Sequence, residues 1–102
     1  MSDTRNAREA LFKRILEGDG KASPSERQAA FNNDGLAAPL NVLTDKVARH
    51  ACRVTDEDIA AAKASGLTED QLFEIVVSAA VGQAARQYDS AMAALAAATA
   101  QE

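Results

Sequence analysis

The chain has 102 residues, the size of a single domain, and its 15 acidic and 11 basic residues give a formal charge of −4. The basic residues are scattered along the sequence, so they form no cationic stripe that could follow a phosphate backbone. We therefore expect no nucleic-acid partner. A single cysteine excludes an intrachain disulfide framework. No basic segment followed by an apolar run opens the chain, which predicts a cytoplasmic location.

The first 35 residues predict two helices. Residues 4–17 carry apolar side chains at helical spacing, and Gly18 follows where a helix would stop. In the segment Ser-Pro-Ser-Glu at 23–26, the first serine can cap a helix, the proline suits its first turn, and the glutamate completes a capping box. The second helix then runs to about Asn33, because the cluster Asn-Asn-Asp-Gly at 32–35 is typical of a helix end.

Two further helices are predicted in the middle of the chain. The third runs from Leu40 or Thr44 to Arg53 and is amphipathic. Thr55 and the three acidic residues after it predict the start of a fourth helix, which Gly66 closes. The apolar face of the third helix consists of Leu43, Val47, Ala51 and Val54.

The fifth helix is the longest. Residues 68–71 repeat the capping pattern, and only Gly82 interrupts a helix that we predict to reach about Ala98. Residues 72–81 are apolar nearly all round, but such a run is about half of a bilayer span, so we expect no membrane segment. Four short companion helices cannot cover this surface, and we expect self-association through it. The small residues that would admit a second helix are Ala79, Ala80, Gly82 and Ala84.

No stretch alternates with the period of a β-strand. We therefore predict an all-α fold of about five helices that ends in a long helix. It forms a single domain over residues 1–102, with N-terminal helices in 1–35 and a core in 36–98.

Residues 56–95 combine an acid-rich helix start, the link Gly-Leu-Thr-Glu-Asp-Gln at 66–71, and an Ala- and Gly-rich helix. This combination resembles the alkylhydroperoxidase D-like and carboxymuconolactone decarboxylase family, over about residues 36–95. The resemblance implies a compact helical domain that assembles into homotrimers or homohexamers.

The resemblance does not carry the family's chemistry. The thiol-active branch has a Cys-x-x-Cys-x-x-x-His motif before the glycine of the link, and counting back from Gly66 places Asp58, Val54 and Ala51 at those positions. Cys52 is one residue out of register and has no second cysteine to resolve an oxidised sulfur. The decarboxylase branch keeps the histidine where this chain has Asp58. The chain is thus similar to a degenerate member of the family.

His50 and Cys52 are the candidate base and nucleophile, because an imidazole can take the proton of a thiol. On one helix the two side chains would point about 200° apart, which argues against a dyad within the chain. The alternative roles are a partly buried packing or interface residue for His50 and a small hydrophobe for Cys52.

Three polar residues near the fourth and fifth helices are further candidates. Asp58 is a general acid or base if burial raises its pKa, whereas acids at a helix start favour a solvated cap. Arg86 with Tyr88 suits a small anion or a partner carboxylate, and the alternative is an ion pair between helices or subunits. Glu74 is expected to meet a cation from another helix.

No phosphate-binding glycine loop and no metal-ligand spacing occurs, so we expect no cofactor and no metal. Two functional hypotheses follow. The first is a homo-oligomeric, non-catalytic scaffold or small-ligand-binding protein, whose ligand the sequence does not define. The second is a thiol- and metal-independent enzyme for a small organic acid or lactone, with Asp58 and Arg86 in its site. A thiol peroxidase is disfavoured because a resolving cysteine is missing.

Overall fold

The computed structural model describes residues 2–100, so the ends of the predicted domain lie outside the described residues. The all-α prediction is confirmed, since no β-strand occurs within that range. The α-helices are α1 (Ser2–Glu17), α2 (Pro24–Asn32), α3 (Leu40–Arg49), α4 (Asp56–Ala64) and α5 (Glu69–Ala100), and a short 3-10 helix spans Ala51–Arg53.

Local capping chemistry determines where three of these helices begin. The Ser23 hydroxyl accepts a hydrogen bond from the Glu26 N–H, and the Glu26 carboxylate accepts one from the Ser23 N–H. Thr55 and Asp58 form the same reciprocal pair at the start of α4, and Thr68 pairs with Gln71 at the start of α5. These bonds satisfy backbone donors that the first helical turn leaves free, which confirms the predicted starts.

The predicted end of the third helix is wrong. α3 stops at Arg49, and His50 adopts φ −145° and ψ 55°, outside helical conformation. Residues 51–53 form a 3-10 turn, and Val54 and Thr55 are extended. β-Branched residues favour this extended conformation, and an extended Thr55 is required if its hydroxyl is to cap α4.

The first half of α5 lies at the centre of the molecule. Leu72, Ile75 and Ala79 are buried there, together with Gly82. α2 crosses α5 at Gly82, where a Cβ atom would collide with the carbonyl of Phe31. One hydrophobic core results, which also contains Ala22, Ala30, Leu40, Leu43 and Ala62.

The second half of α5 leaves this core. Every residue from Gln87 to Ala100 is exposed, and we refer to residues 87–100 as the outer half. The molecule measures 54 × 29 × 20 Å, and its radius of gyration of 15.6 Å exceeds the roughly 13 Å of a compact domain of this length. α1 lies beside α5, yet none of residues 3–17 is fully buried.

Candidate functional site

Asp58 occupies a structural position at the start of α4. Its carboxylate accepts hydrogen bonds from the Lys46 ammonium at 2.8 and 3.0 Å and from the Thr55 N–H at 2.9 Å. The bond from Lys46, and then the bond from Thr55, hold the pKa of Asp58 below its ordinary value. A general acid would need the opposite shift, so the arrangement fits a cap that ties α4 to α3.

His50 and Cys52 do not form a dyad. Both residues are exposed, His50 at the end of α3 and Cys52 in the 3-10 turn. Within residues 2–100 neither side chain forms a hydrogen bond or an ion pair. His50 is not the partly buried packing residue that the sequence predicts, because the chain leaves the helix at His50 itself and the residue is exposed within the single chain, whereas its role as an interface residue stays a prediction.

His50 lines a cleft between α3 and the loop that precedes it. Arg53, Lys46 and Asp45 line the same cleft, whose volume of 530 Å³ falls within the range of small-molecule sites. Much of its polar lining is already paired, since Asp45 accepts a hydrogen bond from the Asn33 amide at 3.0 Å and Lys46 is bound to Asp58. Arg53 and Asn33 could not be predicted as cleft residues from the sequence, because only the break in α3 and the turn at Asn33 bring them to one cleft.

Arg86 and Tyr88 are not one site. Arg86 donates to the carbonyl of Phe31 and, at 2.9 Å, to Oε1 of Gln83. Tyr88 lies instead against Arg8, whose guanidinium carbon is 5.7 Å from the centre of the tyrosine ring. Helix positions that are two residues apart point about 200° away from each other. Arg86 and Tyr88 of one chain therefore do not form a shared anion site.

Arg8 joins α1 to α5 and was not identified from the sequence. Its guanidinium forms two hydrogen bonds with the Asp89 carboxylate, at 2.7 and 2.8 Å. The same group lies 5.0 Å from the centre of the Phe12 ring, in addition to its contact with Tyr88. The pair is separated by 81 positions, and no local pattern predicts such a contact.

Glu74 has backbone partners rather than the cation expected from the sequence. Its carboxylate accepts hydrogen bonds from the Lys21 N–H at 2.9 and 2.8 Å and from the Ala22 N–H at 2.9 Å. These bonds, from Lys21 first and then Ala22, lower the pKa of Glu74. Gly20 makes the arrangement possible, because a Cβ atom there would meet the carboxylate.

The small residues of α5 serve two different purposes. Ala79 and Gly82 are buried within the chain, where α2 makes the close approach that we expected of a second subunit. Ala80 and Ala84 are exposed. The larger exposed apolar side chains of α5 are Phe73 in the first half and, in the outer half, Tyr88, Met92 and Leu95.

Comparison with protein-family models, with curated proteins and with solved structures finds no match to the chain. Among residues 2–100, no group of three or more His, Cys, Asp or Glu side chains could hold a metal ion. In the same part of the chain no helix combines the length and the apolar character needed to cross a membrane.

Proposed function

We propose that the chain is a non-catalytic helical subunit that assembles with copies of itself through the outer half of α5. The observation that carries this proposal is the exposure of all of residues 87–100. Residues 90–100 of this segment contain no charged side chain. A helix apolar on so much of its circumference is stable in water when a partner covers it.

The engagement of the candidate site residues supports a scaffold rather than an enzyme. Asp58 caps α4 and binds Lys46, whereas Arg86 binds the backbone of α2. The two residues on which an enzyme for organic acids would depend therefore hold different pairs of helices together. His50 and Cys52 are exposed without a polar partner among the described residues.

The relationship to the carboxymuconolactone decarboxylase-like family is part of the proposal. Its support is the 66–71 link, in which Gly66 has φ +108° and Thr68 and Gln71 cap the long helix. Trimers or hexamers are the assemblies that this resemblance implies.

Charge placed on the outer half tests the proposal. The Leu95 side chain is 58% exposed in the single chain, so Leu95→Glu should leave the fold intact but bury a charge in the assembly. We expect light scattering after size exclusion to show a loss of mass toward the 10.7 kDa monomer, with the helical circular dichroism retained. Val42→Glu is the matched control, since Val42 is 49% exposed on α3, and this variant should keep the wild-type mass. A Leu95→Glu protein with unchanged assembly mass would contradict the proposal.

A further inference from the structure

We infer that α5 pairs with α5 of a second copy in antiparallel orientation, in one register. The inference rests on the proposed function and specifies its geometry. Residues 81–98 contain a seven-residue repeat, in which Val81, Tyr88 and Leu95 alternate with Ala84, Ala91 and Ala98. We call these six residues the α5 seam. Spacings of three and four residues place them along one side of the helix, as in the core positions of a coiled coil.

The alternation of large and small side chains selects the antiparallel orientation. In a parallel pair each position faces its own copy, so Tyr88 would meet a tyrosine and Ala91 an alanine, leaving crowded layers beside underfilled ones. In an antiparallel pair Tyr88 faces Ala91 of the partner subunit, and Leu95 faces Ala84 of the partner subunit. A large side chain then meets a small one in every layer, which is the condition for close packing.

Two-fold symmetry follows from this register. Two positions face each other when their residue numbers add to 179, so Val81 faces Ala98 of the partner subunit. The two-fold axis therefore crosses α5 between Asp89 and Ser90. Each subunit contributes the same surface, as an isologous contact requires. Such a contact occurs in a dimer or in a hexamer with dihedral symmetry, but not in a cyclic trimer.

The charges near the seam are paired within the chain, and one pair borders it, since the guanidinium carbon of Arg8 lies 5.7 Å from the centre of the Tyr88 ring. Asp89 is bound to Arg8 of α1, and Arg86 is bound to the carbonyl of Phe31 on α2. Both partners belong to the same chain and lie on the sides of α5 that α1 and α2 occupy. Pairing along the seam therefore brings no unpaired ion into the contact, and it avoids the cost of desolvating one.

The accessible surface of the chain exceeds that of a compact monomer of its mass. Its accessible surface is 6894 Å², whereas a compact monomer of its mass exposes about 5,500 Å². The excess of about 1,400 Å² lies within the roughly 1,000 to 2,500 Å² that each subunit of an obligate dimer buries. A second copy carries the same excess, so one contact covers both.

Disulfide trapping tests the orientation. The parent is Cys52→Ser, because the exposed native thiol would form cross-links of its own. Ala84→Cys and Leu95→Cys chains, one of them lengthened by a tag, are oxidised separately and after refolding together. In the antiparallel register, position 84 of one chain faces position 95 of the other. Position 84 lies 11 residues, or about 16 Å along the helix axis, from position 84 of the other chain, and the same holds for position 95. Disulfide formation requires Cα atoms within about 7 Å.

We expect a covalent heterodimer as the main product of the mixture and little cross-linking in either chain alone. Ala97→Cys replaces Leu95→Cys in the control mixture, since position 97 lies on the opposite side of α5 at a similar height, and this mixture should stay unlinked. Light scattering of the same samples before oxidation separates the possible failures. A monomer would overturn both the assembly and the pairing. An assembly that links position 84 to itself, or links no seam position, would overturn the antiparallel pairing alone.

Discussion

Glu74 joins three parts of the chain through backbone hydrogen bonds. It lies on α5, and its carboxylate accepts the N–H groups of Lys21 and Ala22, which connect α1 to α2. Hydrogen bonds to a charged acceptor are stronger than those to a neutral one, and a backbone donor is already fixed in place. Glu74 therefore stabilises the position of the loop that precedes α2.

Replacing this carboxylate should make its contribution measurable as a function of pH. Glu74→Gln keeps the size of the side chain but weakens the bonds to the backbone donors, and we expect unfolding to cost about 1 to 2 kcal/mol less at pH 7. The folded pKa of Glu74 lies below its ordinary value of 4.5, so the carboxylate contributes its full stability above pH 4.5. This contribution is lost as the pH falls through the folded pKa, where the wild type and the variant should converge.

Urea denaturation at several pH values measures this difference. Glu9→Gln is the matched control, because Glu9 is an exposed carboxylate in the middle of α1 with no side-chain hydrogen bond to residues 2–100. It should change the free energy of unfolding by less than about 0.5 kcal/mol at each pH. A Glu74→Gln deficit that grows as the pH falls would show that the carboxylate is not stabilised in its ionised form.

At the scale of the helices, α2 crosses α5 in close contact at Gly82. Gly82 lets the Phe31 carbonyl approach the α5 backbone, and Arg86, one turn later, donates to the same carbonyl. The carbonyl lies at the end of α2, where the helix leaves such groups without a partner. Gly82 thus provides the space for the Phe31 carbonyl oxygen, and Arg86 provides its hydrogen bond.

Gly82→Ala should destabilise the fold although alanine favours a helix by about 1 kcal/mol over glycine. The added methyl group would collide with the Phe31 carbonyl and force α2 outward, and overpacking of this kind costs about 1 to 3 kcal/mol. The measurement is the midpoint of urea unfolding, with Ser90→Ala as an exposed control on the same helix. A more stable Gly82→Ala protein would mean that α2 does not cross α5 at this point.

Interactions between residues close in the sequence could be predicted, whereas interactions between distant residues could not. The starts of α2, α4 and α5 depend on bonds within four residues, so their capping patterns could be read directly. The apolar periodicity of α3 continues in the sequence beyond Arg49, although the helix itself ends there. This periodicity carries no information about the turn that must precede α4. The partners of Glu74 and Arg8 are more than 50 residues away, and only the fold brings them together.

At the scale of the whole molecule, α5 has two environments. Its first half carries the residues that are buried in the core, whereas every residue of its outer half is exposed. The expectation of self-association was based on the first half, where the chain uses Ala79 and Gly82 for its own packing and leaves Ala80 and Ala84 exposed. The surface that we propose for a partner is the outer half, together with Val81 and Ala84 of the seam.

Sedimentation equilibrium of the 102-residue chain over a concentration series, from about 1 to 200 μM, tests the assembly through α5 most directly. Obligate assemblies remain associated at micromolar concentration, so we expect a mass of at least two chains throughout most of the range. A well-folded species that stays at 10.7 kDa up to the highest concentration would contradict the assembly of the chain through α5.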